Sequence, residues 1–131
     1  MKNILLDTST YGRFFRGDER VLDPLSHAET VYFSAIVMGE LLAGFRGGVK
    51  LRENRSRLPG FLQSQRSKPC TSATKQQKYS QVKHALQLSG TPIPMNDVWI
   101  ASQVIETGSV LVTFDQHFQK VAGLRIWDID D

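Results

Sequence analysis

The chain has 131 residues, 40% of them hydrophobic and 22% charged, with a formal net charge of +3 and a pI near 9.2. This is the size and composition of one globular domain with its own core, which excludes fibrous and disordered classes. A single cysteine, Cys70, excludes an intrachain disulfide framework and a cysteine-rich zinc site, and the mild basicity favours a polyanionic partner only weakly.

Ile4-Leu5-Leu6 reads as a buried strand, and Asp7-Thr8-Ser9 as the capped start of a helix. Tyr11, Phe14 and Phe15 give that helix its apolar face and Gly17 ends it. A short helix follows around Val21, Leu22 and Leu25. Val31-Tyr32-Phe33 is β-rich and forms a second strand. Ser34 stands where an N-cap belongs, before a helix with Ile36, Val37, Leu41, Leu42 and Phe45 apolar and Gly47-Gly48 as its stop. Glu40 interrupts this apolar element.

Lys50 to Gln65 carries Leu51, Leu58, Phe61 and Leu62 at helical spacing, with Pro59 placed to kink or split the helix. Ser67 to Thr71 is a polar connection with at most a weak edge strand. The helical period resumes from Ser72 to Leu88, and Gly90 suits its C-terminal stop. Thr91 to Met95 is a proline-rich loop. Asp97 to Thr107 predicts a helix stopped by Gly108, Val110 to Phe114 the strongest strand, and Leu124 to Trp127 a last strand. The acidic tail from Asp128 frays. Strands alternating with helices predict one α/β domain over residues 1–131, a mostly parallel sheet with helices on both faces.

The apolar run before Asp7 is too short for a signal peptide, and no stretch approaches the ~20 residues that span a bilayer. A cytoplasmic location without membrane contact is expected. His27, His84 and His117 are scattered, with no HExxH or His/Cys cluster.

Four acids stand where chemistry is done. Sites of open parallel sheets form outside the carboxyl ends of the strands. Asp7 and Asp115 each follow a strand directly, Asp97 begins a helix after a loop returning to that rim, and Glu40 lies on a helix face expected to be buried. Each has a plainer reading. Asp7, Asp97 and Asp115 can cap helices, and Glu40 can pair with Arg46 or Arg13. Joint convergence on one rim favours a shared role. Clustered carboxylates raise one another's pKa and call for a counter-charge. Oxygen donors without Cys or His suit a hard ion, Mg²⁺ or Mn²⁺. Such an ion activates water and stabilises charge on a phosphoryl oxygen. The chemistry implied is phosphodiester cleavage.

The stretches LLDTSTYGRFFRGD (5–18), SAIVMGELLAGFRGG (34–48), RENRSRLPGFL (52–62), IPMNDVWIAS (93–102) and LVTFDQHFQKVAGLRI (111–126) follow one another in a familiar order and spacing. On these motifs the sequence resembles the PIN-domain ribonucleases, in particular the VapC-type toxins of bacterial toxin–antitoxin pairs. The resemblance implies a three-layer PIN-like fold and a metal-dependent endoribonuclease. It implies a homodimer, inhibited by a cognate antitoxin and acting on RNA. Asp7 and Asp97 match the first and third acids of the family and would be the most direct metal ligands. Glu40 and Asp115 match the second and fourth and would complete the pocket, partly through waters. Thr8, Ser9, Asn96 and Thr113 match supporting polar positions. Pro59 departs from the continuous helical arm of the family, and the polar Ser67–Thr71 segment from its clear apolar strand.

Arg13, Arg46, Arg52 and Arg55 are candidates for RNA or antitoxin contact, whereas Lys75, Lys78 and Lys83 read as a solvated helix face. Tyr11, Phe14 and Phe15 serve either the core or a groove for an amphipathic antitoxin helix. A haloacid-dehalogenase-like phosphatase needs a second Asp two positions after the first, and Ser9 stands there. A receiver domain needs an acidic pair near the first strand, and Leu5-Leu6 precede Asp7. A non-catalytic RNA-binding or regulatory module with a PIN-like fold is the remaining alternative.

Overall fold

The computed structural model describes residues 2–46, 59–61, 63–64, 66–70 and 75–129. Strand β1 (Lys2–Leu6) is followed by helix α1 (Thr8–Phe15), a 3₁₀ turn (Glu19–Val21) and helix α2 (Leu22–His27). Strand β2 (Ala28–Phe33) leads into helix α3 (Ala35–Arg46), and residues 59–61 are helical. Strand β3 (Ser67–Pro69), helices α4 (Lys75–Leu88) and α5 (Met95–Thr107), strand β4 (Val110–Val112) and a 3₁₀ turn (Gln116–Lys120) complete the described elements.

The four strands form one parallel sheet in the order β3-β2-β1-β4. The path runs one way from β1 to β3 and then jumps back past β1 to β4. Right-handed crossovers therefore put α1 to α3 on one face and α4 with α5 on the other. This is the three-layer α/β architecture that the sequence implies. The strand order reverses between β1 and β4, and there the loops leaving two neighbouring strands diverge and open a crevice.

Ile4, Leu5 and Leu6 are fully buried because β1 has a partner strand on each side and helices above and below. On one face Tyr11 meets Phe61 edge-on at 5.5 Å, and Phe15 meets Phe45 at 6.0 Å. On the other, Tyr79 of α4 stacks on Trp99 of α5 at 4.0 Å. Tyr11 and Phe15 thus belong to the core, whereas Phe14 is half-buried and lines a surface hollow. Ile100 is core as well.

Several boundaries differ from the sequence reading. Helix α5 begins at Met95, because Pro94, with φ −55°, serves as its cap residue and its carbonyl accepts from Asp97 N and Val98 N. Asp97 therefore sits inside the first turn and does not cap. β4 ends at Val112, two residues early, because its partner β1 ends at Leu6: after the bond from Asp7 N to the Val112 carbonyl, that chain turns into α1 and the ladder has no further partner. The expected last strand shrinks to one parallel bridge between Leu111 and Ile126. Ser67–Pro69 does form a short edge strand, and an edge is where a proline is tolerated.

Ser34 Oγ accepts from Ile36 N at 3.1 Å, as expected of the cap before α3. Gly17 and Gly108 end α1 and α5 with φ of +88° and +68°, a backbone region in which a Cβ is costly. The Gly47-Gly48 stop and most of the Lys50–Gln65 helix, including Arg52 and Arg55, lie outside the described residues, and so does the chain leading into Pro59.

Candidate active site

The crevice at the strand-order reversal is an open cleft of about 590 Å³. Asp7, Glu40, Asp97 and Asp115 all line it, with Thr8, Ser9 and Asn96 between them. Residues distant in the chain are brought there by four elements: the end of β1, the middle of α3, the first turn of α5 and the loop after β4.

Asp7 is the buried member of the group, 2% exposed. Its Oδ1 accepts from Thr10 N at 2.9 Å, which caps α1 as the sequence predicts. The same oxygen accepts from Ser9 Oγ at 2.9 Å and lies 2.7 Å from Thr10 Oγ1. Thr10 Oγ1 is also 2.7 Å from the Val112 carbonyl, so one hydroxyl proton serves both acceptors and ties α1 to β4. Oδ2 accepts from Thr113 Oγ1 at 2.5 Å. Burial pushes the Asp7 carboxyl above its ordinary value, and the hydrogen bonds from Thr113, Thr10 and Ser9 pull part of the way back.

Asp97 is also raised, first by burial and also by the negative charges of Glu40 and Asp115, while its contact to His117 opposes the rise. Those two couplings mark Glu40 and Asp115 as electrostatic neighbours of Asp97. His117 Nε2 lies 2.6 Å from Asp97 Oδ2. A carboxylate can only accept, so Nε2 carries the proton. Glu40 is half-buried and takes no arginine among the described residues. Thr8 Oγ1 donates to its Oε1 at 2.6 Å, and Asn96 Nδ2 to its Oε2 at 3.3 Å. Arg13 turns instead to Asp18, and Arg46 is exposed at the end of α3. Asp115 is exposed and makes no side-chain cap on its 3₁₀ turn; its N–H donates to Thr113 Oγ1 at 3.0 Å.

His117 carried no role in the sequence reading. The available signal was its place two residues after Asp115, on the turn that follows the acid. Seven of the eight polar residues expected at the site line the cleft; Thr113, the eighth, does not line it but donates to Asp7, which does.

Among the described residues no three His, Cys, Asp or Glu side chains gather tightly enough to form a ready-made metal cage. The acids instead border an open cleft with donors that are all carboxylate oxygens. Asp7 Oδ2 accepts a single hydrogen bond, and Asp97 Oδ1 accepts none from the described residues. Both retain acceptor capacity toward a cation. This donor chemistry fits a hard divalent ion that keeps several of its waters.

The PIN domain family model matches residues 4–124. The chain is similar to one in VapBC2 of Rickettsia felis bound to a DNA fragment from its promoter. They share 26% identity over 98% of this chain and 99% of that chain, with a TM-score of 0.84. FitAcB of Neisseria gonorrhoeae gives 25% identity over 95% and 96%, TM-score 0.74. DNA-bound VapBC of Salmonella typhimurium gives 24% over 98% of each chain, TM-score 0.83. No curated protein sequence gives a significant match.

Proposed function

Because the chain belongs to the PIN-domain family, we propose that it is a VapC-type toxin, a divalent-metal-dependent endoribonuclease held in check by a cognate antitoxin. The observation that carries this reading is the meeting of Asp7, Glu40, Asp97 and Asp115 on one cleft. Four carboxylates crowded together cost free energy unless a cation joins them.

Asp7 and Asp97 would hold Mg²⁺ or Mn²⁺ most directly, with Glu40 and Asp115 completing the negative wall. When bound, the ion would supply an activated water and stabilise charge on a phosphoryl oxygen. Thr113 and Ser9 keep Asp7 oriented by donating to its two oxygens. Thr8 and Asn96 do the same for Glu40. His117 positions Asp97.

RNA, an antitoxin and a second copy of the chain are the partners that this reading requires. An apolar antitoxin segment has a candidate seat in the hollow of about 420 Å³ beside Phe14, Leu22, Leu25 and Phe61. No helix among the described residues is long and apolar enough to cross a membrane.

The test is to incubate purified protein with RNA in Mg²⁺, in Mn²⁺ and in EDTA and to map the ends. Metal-dependent cuts bearing 5′-phosphate and 3′-hydroxyl ends support the reading. Cleavage in EDTA, or 2′,3′-cyclic phosphate ends, would overturn the mechanism. RNA bound but never cut would leave the non-catalytic module.

A further inference from the structure

We propose that the hollow of about 330 Å³ adjoining the acidic cleft is a base subsite that selects guanine beside the bond being cut. This rests on the reading of the chain as an RNA nuclease. The hollow and the cleft share Asp115. The segment after Leu124 runs parallel to β4: Leu111 N donates to the Arg125 carbonyl at 2.8 Å, and Trp127 N to the Leu111 carbonyl at 2.8 Å. Trp127 and Asp128 therefore come out at the carboxyl end of the sheet, the rim on which the acids stand. A nucleotide whose phosphate lies among the acids has its base beside this hollow.

The lining turns a phosphate away and suits a base. Asp115 and Asp128 meet a second phosphate with like charge. Phe114 and Trp127 supply apolar walls. Both rings are held from outside: the guanidinium carbons of Arg13 and Arg20 lie 4.3 and 4.8 Å from the Phe114 centroid, and Lys2 Nζ lies 4.5 Å from that of Trp127. Gln116 and Gln119 are three positions apart on a 3₁₀ turn, where side chains eclipse, so both amides line the hollow together. Neither amide, nor the Asp128 carboxylate, has a hydrogen-bond or ion-pair partner among the described residues.

Unpaired bases of single-stranded RNA are read on their hydrogen-bonding edges by groups of this kind. Guanine alone sets two N–H donors, N1 and N2, on neighbouring nitrogens of one edge, which matches the two oxygens of a carboxylate. Adenine and cytosine set a ring acceptor beside their amino group, and uracil flanks its N–H with two carbonyls. Each of these turns a lone pair toward Asp128. The glutamine amides are left to donate to guanine O6 and N7.

The experiment is cleavage of a single-stranded RNA library of randomised sequence by the full chain in Mn²⁺, with the ends sequenced. Guanine is enriched on the order of 10-fold at one position flanking the cut, the discrimination expected of one two-bond contact. Asp128→Ala loses that preference. Asp128→Asn, whose amide offers a donor beside an acceptor, moves it toward adenine and cytosine. Asp128 is exposed, so neither change disturbs the core. The double variant Gln116→Ala/Gln119→Ala lowers the enrichment and decides the matter if the Asp128 variants do not fold.

Wild-type cuts without a base preference, or with another base enriched, overturn the proposal. So does a guanine preference that survives in folded Asp128→Ala. None of these outcomes touches the nuclease reading, which stands or falls on wild-type cleavage in Mn²⁺. A wild-type chain that leaves the library uncut ends both.

Discussion

His117 and Asp97, twenty positions apart, are joined by a 2.6 Å contact between Nε2 and Oδ2. The imidazole occupies one oxygen of the carboxylate and leaves the other without a partner among the described residues. Groups that hold a metal ligand in this way are commonly worth 10- to 100-fold in metal affinity. His117→Ala should weaken Mn²⁺ binding by about that factor in calorimetry. His117→Gln, which keeps a donor, should recover part of the loss. Wild-type affinity in the alanine variant would mean that the ring only packs.

Asp7 and Asp97 both hold a proton more tightly in the fold than in the unfolded chain, because burial penalises their charge. For such acids the folded state binds more protons between the ordinary value of 3.8 and the raised one. Stability contributed by the protonated form is therefore lost as pH rises through that window. At neutral pH without metal, Asp7→Asn should melt at or above the wild-type temperature. Added Mn²⁺ should raise the wild-type melting temperature, by linkage, but not that of the variant. Cleavage should vanish in Asp7→Asn and in Asp97→Asn. Normal metal-dependent turnover in either would show that the ion is held elsewhere.

The Tyr11 hydroxyl is fully buried and has no hydrogen-bond partner among the described residues. A buried polar group left unpaired costs about 1–3 kcal/mol. Tyr11→Phe removes the group and leaves the ring packing on Phe15 and Phe61 in place. Urea unfolding should show the variant unchanged or more stable by up to about 1 kcal/mol. A loss of that size would reveal a partner for the hydroxyl.

Burial, aided by the negative charge of Glu106, pushes the Cys70 thiol up to about 11. Almost no thiolate exists at pH 8, and the thiolate is the reactive form. A disulfide reagent should label the native protein far more slowly than the urea-unfolded chain. Equal rates would place Cys70 in an open, polar setting.

The positions of Asp7, Glu40, Asp97 and Asp115 around one crevice were legible because acids directly after strands, or on an apolar helix face, have few plain explanations in common. Where α5 begins was not legible. A proline that supplies a cap from its backbone leaves no side-chain signature, so Asp97 looked like the cap. The early end of β4 was hidden for a related reason. Thr113 and Phe114 have the β propensity of strand residues, and the ladder stops only because the distant partner β1 ends at Leu6. His117 and the Arg13–Phe114–Arg20 cluster depend on turns whose geometry no periodicity encodes. Arg52 and Arg55, expected near RNA or antitoxin, lie outside the described residues.

The bond from Thr113 to Asp7 spans 106 positions. β1 leaves the ribosome first yet lacks its neighbour β4 until Val112 has been added. On a growing polypeptide the acidic crevice therefore cannot close until Val112 and Thr113 have been added. A chain stopped short of that point carries three of the four acids but not the wall that sets them against one another.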